Sequence, residues 1–252
     1  MISPAQASYL RKISAAAAAS AAVGTALARP TKGAEATEYE LIRARLGVDL
    51  RRLREVQSID NKIALKRELL PAYADWVKGV LEAAAAGNRG VQDEILVQTM
   101  IWRIDVGDYE GAFPLIEYVL RWGLALPERF NRTAATMIAE EFADAALKAL
   151  GQGEDFDLET LQRIDALTAD HDMHDQVRAK LQKALGQQFA RLADRAEAGA
   201  DGPAGGKRGL VETALKHLRE ALRRNEKVGV KKDIERLERE QKKLTAGAPE
   251  AS

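Results

Sequence analysis

Three histidines and no cysteine limit the chemistry open to this chain. His171 and His174 lie three residues apart in the run Asp170-His171-Asp172-Met173-His174-Asp175. On a helix that spacing sets both imidazoles on one face, where the flanking carboxylates could complete a divalent metal site. The same run also reads as the loop before a helix, with Asp172 or Asp175 capping its free N–H groups. No third histidine stands nearby, and no metal or cofactor is expected. His217 has no serine near it in sequence and no cysteine anywhere to activate, so a nucleophile–base triad has little material.

Two Asp/Glu-x-Lys triplets, Asp60-Asn61-Lys62 and Glu240-Gln241-Lys242, have the spacing by which some nucleases hold Mg²⁺ and orient water. Both fall in helical patterns without neighbouring strands, so they read as solvated helix charge. Gly206-Lys207 is followed by Arg208, and Asp201 occupies the position where a phosphate-binding loop needs glycine. ATP binding is excluded there, and no catalytic residue is assigned.

The elements that carry these residues are helices. Alanine is abundant, aromatic residues are 5%, and long β-branched runs are absent, which disfavours sheet. The expected fold class is all-α, a long N-terminal amphipathic helix followed by antiparallel helical hairpins, tetratricopeptide-like in places. No apolar run is long enough to span a membrane.

Ser3-Pro4-Ala5-Gln6 has the form of a helix start, with Ser3 as N-cap. The alanine-rich stretch up to Ala26-Leu27-Ala28 resembles a signal peptide only superficially, because alanine is too weakly apolar. Residues 1–36 are expected to be a flexible arm with a short Ala-rich helix. Thr37 to Glu40 reads as a second capping box. After it Tyr39, Ile42, Leu46, Leu50, Leu53 and Val56 fall on one stripe of a helix that continues through Ile59 and Ile63 towards Pro71. Such a stripe suits either an oligomer contact or an intramolecular hairpin.

Residues 37–197 are expected to form a helical oligomerisation and core domain, and residues 198–209 a Gly-rich linker. Residues 210–246 read as a basic helical hairpin, and 247–252 as a tail. A faint echo relates Gly107 to Gly209, Ala112 to Ala214 and Leu120 to Leu222, a separation of three tetratricopeptide periods.

The overall charge of zero hides a pattern. Residues 1–70 carry net +5, residues 71–200 net −9 and residues 201–252 net +4. Basic ends around an acidic middle suit polyanion contacts.

Lys66-Arg67-Glu68-Leu69-Leu70-Pro71, Trp76-Val77, Gly79-Val80-Leu81-Glu82 and Trp102-Arg103 with Gly107-Asp108 carry a family likeness. So do Val177-Arg178-Ala179-Lys180-Leu181 and Ile234-Glu235-Arg236-Leu237-Glu238-Arg239-Glu240. In this order along most of the chain they resemble the small terminase subunit of temperate tailed phages, the GpM type, often labelled an endonuclease subunit. The resemblance implies binding of double-stranded viral DNA at the cohesive-end or packaging site. It also implies assembly into a homo-oligomeric ring and regulation of a large subunit that holds the ATPase motor and the nuclease, in the cytoplasm of the bacterial host.

On that reading Arg11, Lys12, Arg43, Arg45, Arg51, Arg52 and Arg54 are expected to bind DNA. Tyr39, Ile42, Leu46, Leu50, Leu53 and Val56 would form the oligomer interface. Lys231, Lys232, Arg236 and Arg239 would dock the large subunit. Two other readings stand beside it: a tetratricopeptide-like protein–protein adaptor, and a metal-dependent endonuclease in its own right.

Overall fold

The computed structural model describes residues 26–28, 32–196 and 206–246. The expected Ser3 cap, the basic pair Arg11 and Lys12, residues 198–205 of the expected linker and the tail lie outside the described residues. Helix dominates what is described, as composition dictates. Leu27 and Val91 form an isolated parallel bridge. No described helix is long and apolar enough to cross a membrane. The chain divides into two compact units between Ala134 and Ala135.

The first unit opens with α1 (Ala34–Glu55). It begins earlier than the expected cap at Thr37. Gly33, with φ 99°, supplies a turn that other residues adopt only with strain. Thr37 instead bonds back from Oγ1 to the Gly33 carbonyl at 3.2 Å. The long helix expected through Ile63 is broken. Val56 turns extended, and Ser58 caps a second helix, α2 (Ile59–Leu69), by accepting from the Asn61 N–H. Serine at an N-cap satisfies a donor that a continuous helix would have bonded internally.

Pro71 sits in a 3-10 turn, Leu70–Tyr73, which leads into α3 (Ala74–Ala85). After the Gly87 turn come α4 (Glu94–Asp105), capped by Asp93, and α5 (Tyr109–Trp122), capped by Asp108. Gly123 ends α5 in the left-handed conformation, φ 62°.

Tyr39, Leu46 and Leu53 of α1 are buried with Leu69, Leu70, Tyr73, Ile95 and Trp102, and Ile42 and Leu50 pack on that cluster. The apolar stripe of α1 is thus spent on the chain's own core, the intramolecular one of its two expected uses. Val56 is half-buried at the break between the helices. Tyr39 Oη accepts from the Glu94 N–H, and Trp76 Nε1 donates to Asp93 Oδ2 at 2.9 Å, pinning the start of α4. The Ala26-Leu27-Ala28 triplet is held by backbone. Leu27 N–H donates to the Gly90 carbonyl, Gln92 N–H to the Leu27 carbonyl, and Ala26 N–H to the Trp122 carbonyl.

The second unit holds α6 (Ala134–Gly151), α7 (Leu158–Thr168), α8 (Asp175–Arg195), α9 (Gly206–Arg224) and α10 (Lys231–Ala246). Helix α9 starts at Gly206, ahead of the expected Leu210, so residues 206–209 are helical. Gly209 therefore lies inside a helix, whereas Gly107 makes a turn at φ 77°. At the glycines the faint echo relates a turn to a helix interior, whereas Ala112 and Ala214 are both buried inside helices. Helices α8 and α9 approach closely at Gly186, where a Cβ would come within 2.6 Å of Leu218 Cγ.

Candidate nucleic-acid interface

The arginines of α1 project on different sides of one helix, and their neighbours separate them. Arg45 and Arg52 lie on the flank facing Asp49 and the α2 end. Arg45 Nε is 4.0 Å from Asp49, and its guanidinium lies over the Tyr73 ring. Arg52 reaches Asp49 at 3.4 Å and Glu68 at 3.5 Å. Both compensate a carboxylate that is almost fully buried.

Arg43 and Arg54 are eleven residues apart, about three turns, and so share the other flank. Arg43 Nε pairs with Glu94 at 2.9 Å, and this bond first of all raises its pKa. Arg54 is exposed on that flank. Arg129 lies on the connection between α5 and α6. The Arg129 guanidinium is pushed down from its ordinary value, first by burial and then by the charge of Arg54. Asp105 and Glu94 offset this in part. Arg129 is held in place by a 2.5 Å bond to Gln98 Oε1 and by the Phe130 ring beneath it, 4.9 Å away.

Arg51 is exposed and runs along the helix past Gly47. Nothing in the sequence singled out Arg129 as a candidate. It stands in the acidic middle of the chain, and the pair Arg129 and Arg132 around Phe130 in a loop is its one sequence signal.

The four basic residues expected to dock a partner divide likewise. Arg236 bonds Asp194 at 2.8 Å, and Arg239 Nε donates to the Glu235 carbonyl of its own helix. Lys231 and Lys232 are exposed in the first turn of α10. Cations there oppose the helix dipole, so the local helix gains nothing from them.

His174, and neither Asp172 nor Asp175, occupies the N-cap of α8, without a side-chain bond. Asp175 is the first helical residue and pairs with Arg224 at 3.1 Å. The difference follows from the backbone, which turns helical one residue after His174. His171 is half-buried, its Nε2 has no hydrogen-bond partner, and burial lowers its pKa. Among the described residues no three His, Asp or Glu side chains are grouped so as to hold a metal ion. His217 is stacked on Phe189 at 5.5 Å, and its Nδ1 lies 2.7 Å from Gln182 Oε1.

Comparisons with known proteins follow the same stretch of chain. The family model described as phage small terminase subunit matches residues 43–176, which include Arg43, Arg54 and Arg129. The chain is 42% identical over 217 residues to a protein of Escherichia phage P2 named "Terminase, endonuclease subunit". That match spans 86% of this chain and 80% of the relative. It is 22% identical over 200 residues to the "Probable terminase, endonuclease subunit" of Haemophilus phage HP1, spanning 79% of this chain and 69% of that one. No solved structure matches.

Proposed function

Because this chain belongs to the phage small terminase subunit family, we propose that it binds double-stranded viral DNA at the packaging site and regulates the large ATPase and nuclease subunit during genome packaging. The single observation that carries this reading is the 42% identity along 86% of the chain to a terminase subunit. Arg54, exposed on the flank it shares with Arg43, and Arg129, whose guanidinium feels its charge, are our candidates for contact with the DNA backbone, where neutralising a phosphate would release counterions. Arg43, Arg45 and Arg52 are engaged by carboxylates of the chain and contribute less to DNA.

Lys231 and Lys232 are our candidates for docking the large subunit. Arg236 and Arg239, exposed on the same helix, complete that candidate set, with Arg236 also paired to Asp194. The label "endonuclease subunit" belongs, in this reading, to the assembled terminase, with strand cleavage in the large subunit. Incubating the pure chain with plasmid and Mg²⁺ tests that assignment, and nicking would assign cleavage to this polypeptide.

A gel-shift titration with packaging-site DNA, against a scrambled duplex of equal length, tests the main proposal. Binding to the cognate duplex that weakens steeply from 50 to 200 mM salt is the expected result. No binding at low salt would overturn it, and would leave a protein–protein adaptor as the better reading.

A further inference from the structure

Helix α3 carries Trp76, Val77, Val80 and Leu81, yet Val77 is the only buried one of its twelve residues. A groove runs beside it. One hollow of about 470 Å³ lies where the end of α2 and the Pro71 turn meet the end of α4. A second, of about 390 Å³, lies between α3 and α5. The two share Ala74 and Arg103, so they are continuous. From Ala74 to Ala85 the groove follows α3 for about 16 Å, or three turns. Its floor is apolar, with Leu70 and Val106 in the first hollow and Val77, Leu81 and Leu115 in the second. Ala74 and Ala85 on α3 and Pro114 across from them are exposed and short, which leaves room for a partner helix.

Five charged side chains line the groove, and four of them are matched. Arg103 pairs with Asp108, and Gly111 makes room for its guanidinium, since a Cβ there would collide with Nη1. Lys78 pairs with Glu82 at 3.8 Å. Arg67 is the fifth. It is exposed and donates to the Val106 carbonyl at 3.1 Å, a bond that holds it in place without matching its charge. The groove thus offers an apolar length with one unmatched cation at its end.

The residues that build it come from the stretches that carry the family likeness. Arg67, Leu70 and Pro71 belong to Lys66–Pro71, and Leu81 and Glu82 to Gly79–Glu82. Arg103 and Asp108 belong to Trp102-Arg103 and Gly107-Asp108. Of these seven only Leu70 is buried, and the DNA contacts proposed above use none of them.

We infer that this groove docks a helix of the large subunit. The apolar side of that helix fills the floor at every third or fourth position, and an acidic residue at its end reaches Arg67. The inference rests on the reading that the chain regulates a large subunit, and it adds a contact in the first unit to the basic residues of α10. A nucleic acid is a poorer occupant, because one unmatched arginine does not offset a row of phosphates.

Titrating the full-length chain with purified large subunit by calorimetry tests this. Ala74→Arg with Ala85→Arg fills the groove with long side chains from exposed positions, and Arg67→Gln removes the unmatched charge. The first is expected to weaken binding about tenfold or more, the second less and with a smaller dependence on salt. The melting temperature and the gel shift with packaging-site DNA should stay as in wild type. Undiminished binding by the Ala74→Arg, Ala85→Arg chain would overturn the inference and leave docking to α10. If the wild-type chain does not bind the large subunit, the regulatory reading falls and the groove's assignment with it. The cysteine-free sequence allows a second arm, in which Lys78→Cys carries a single benzophenone for photo-cross-linking. Links to an apolar helix of the large subunit with an acidic end are expected, and links only to a second copy of this chain would overturn the choice of partner. Should the double arginine variant unfold, the cross-linking result decides.

Discussion

Tyr73 donates a 2.6 Å hydrogen bond from its hydroxyl to Asp49 Oδ2 in the interior of the first unit. Both residues are buried, and the Tyr73 phenol is pushed up from its ordinary pKa by burial first and by this bond next. Asp49 receives Arg45 and Arg52 as well. One carboxylate thus ties α1 to the turn at Pro71. A Tyr73→Phe variant leaves that carboxylate short of a donor. It is expected to cost about 1–3 kcal/mol. Urea unfolding followed by circular dichroism measures it, and a midpoint unchanged from wild type would show that the arginines alone satisfy Asp49.

The second unit depends on a missing side chain. Gly186 lets α9 come so close that an added Cβ would meet Leu218 Cγ at 2.6 Å and the Leu218 backbone nitrogen at 3.1 Å. Gly186→Ala should push the helices apart, at a cost of about 1–3 kcal/mol. Adding Leu218→Ala should relieve part of the clash, so the double variant loses less than the sum of the two single changes. Strict additivity in thermal unfolding would count against the close approach.

Arg54→Gln combined with Arg129→Gln removes both cations without adding a charge. If they hold phosphate, affinity should fall for cognate and scrambled DNA alike. The slope of log K against log salt should flatten by about 1 for each phosphate that is no longer neutralised. Arg45→Gln, whose native partner is Asp49, is the comparison and is expected to change the slope little. Equal slopes for wild type and the double variant would place the DNA elsewhere.

His217 gives the second unit a pH dependence. Burial lowers its pKa from 6.5 to about 4. Between those values the unfolded chain binds a proton that the folded one refuses. Stability is therefore full above about 6.5 and declines as pH falls toward 4. Nearby Asp165 is pushed up by burial, with Arg178 and the Gln182 amide opposing. Its sign is opposite, because its folded form takes up a proton first, so it offsets part of the loss. His217→Gln should flatten the fall in melting temperature between pH 6.5 and 4. A slope equal to wild type would mean the imidazole is solvated when folded.

Much of this was fixed by local sequence. Apolar spacing every three or four residues, alanine content and the Gly and Pro breaks specify helices, because burying one stripe and turning at defined points are local constraints. Pro71, Gly107 and Gly123 end or divide helices where their backbone preferences require it. The ordered likeness to small terminase subunits is also a property of sequence alone.

Tertiary structure decided which face of α1 is spent on the core and which is left exposed, since periodicity marks an apolar stripe but not its partner. It decided the break at Ser58, where a short polar cap outweighs a continuous pattern. It also decided which arginines are neutralised. Arg43 and Arg54 look alike in sequence, yet Glu94 pairs with Arg43 while Arg54 stays exposed. Electrostatics acts through space, and residues 43 and 94 become neighbours only once the helices pack.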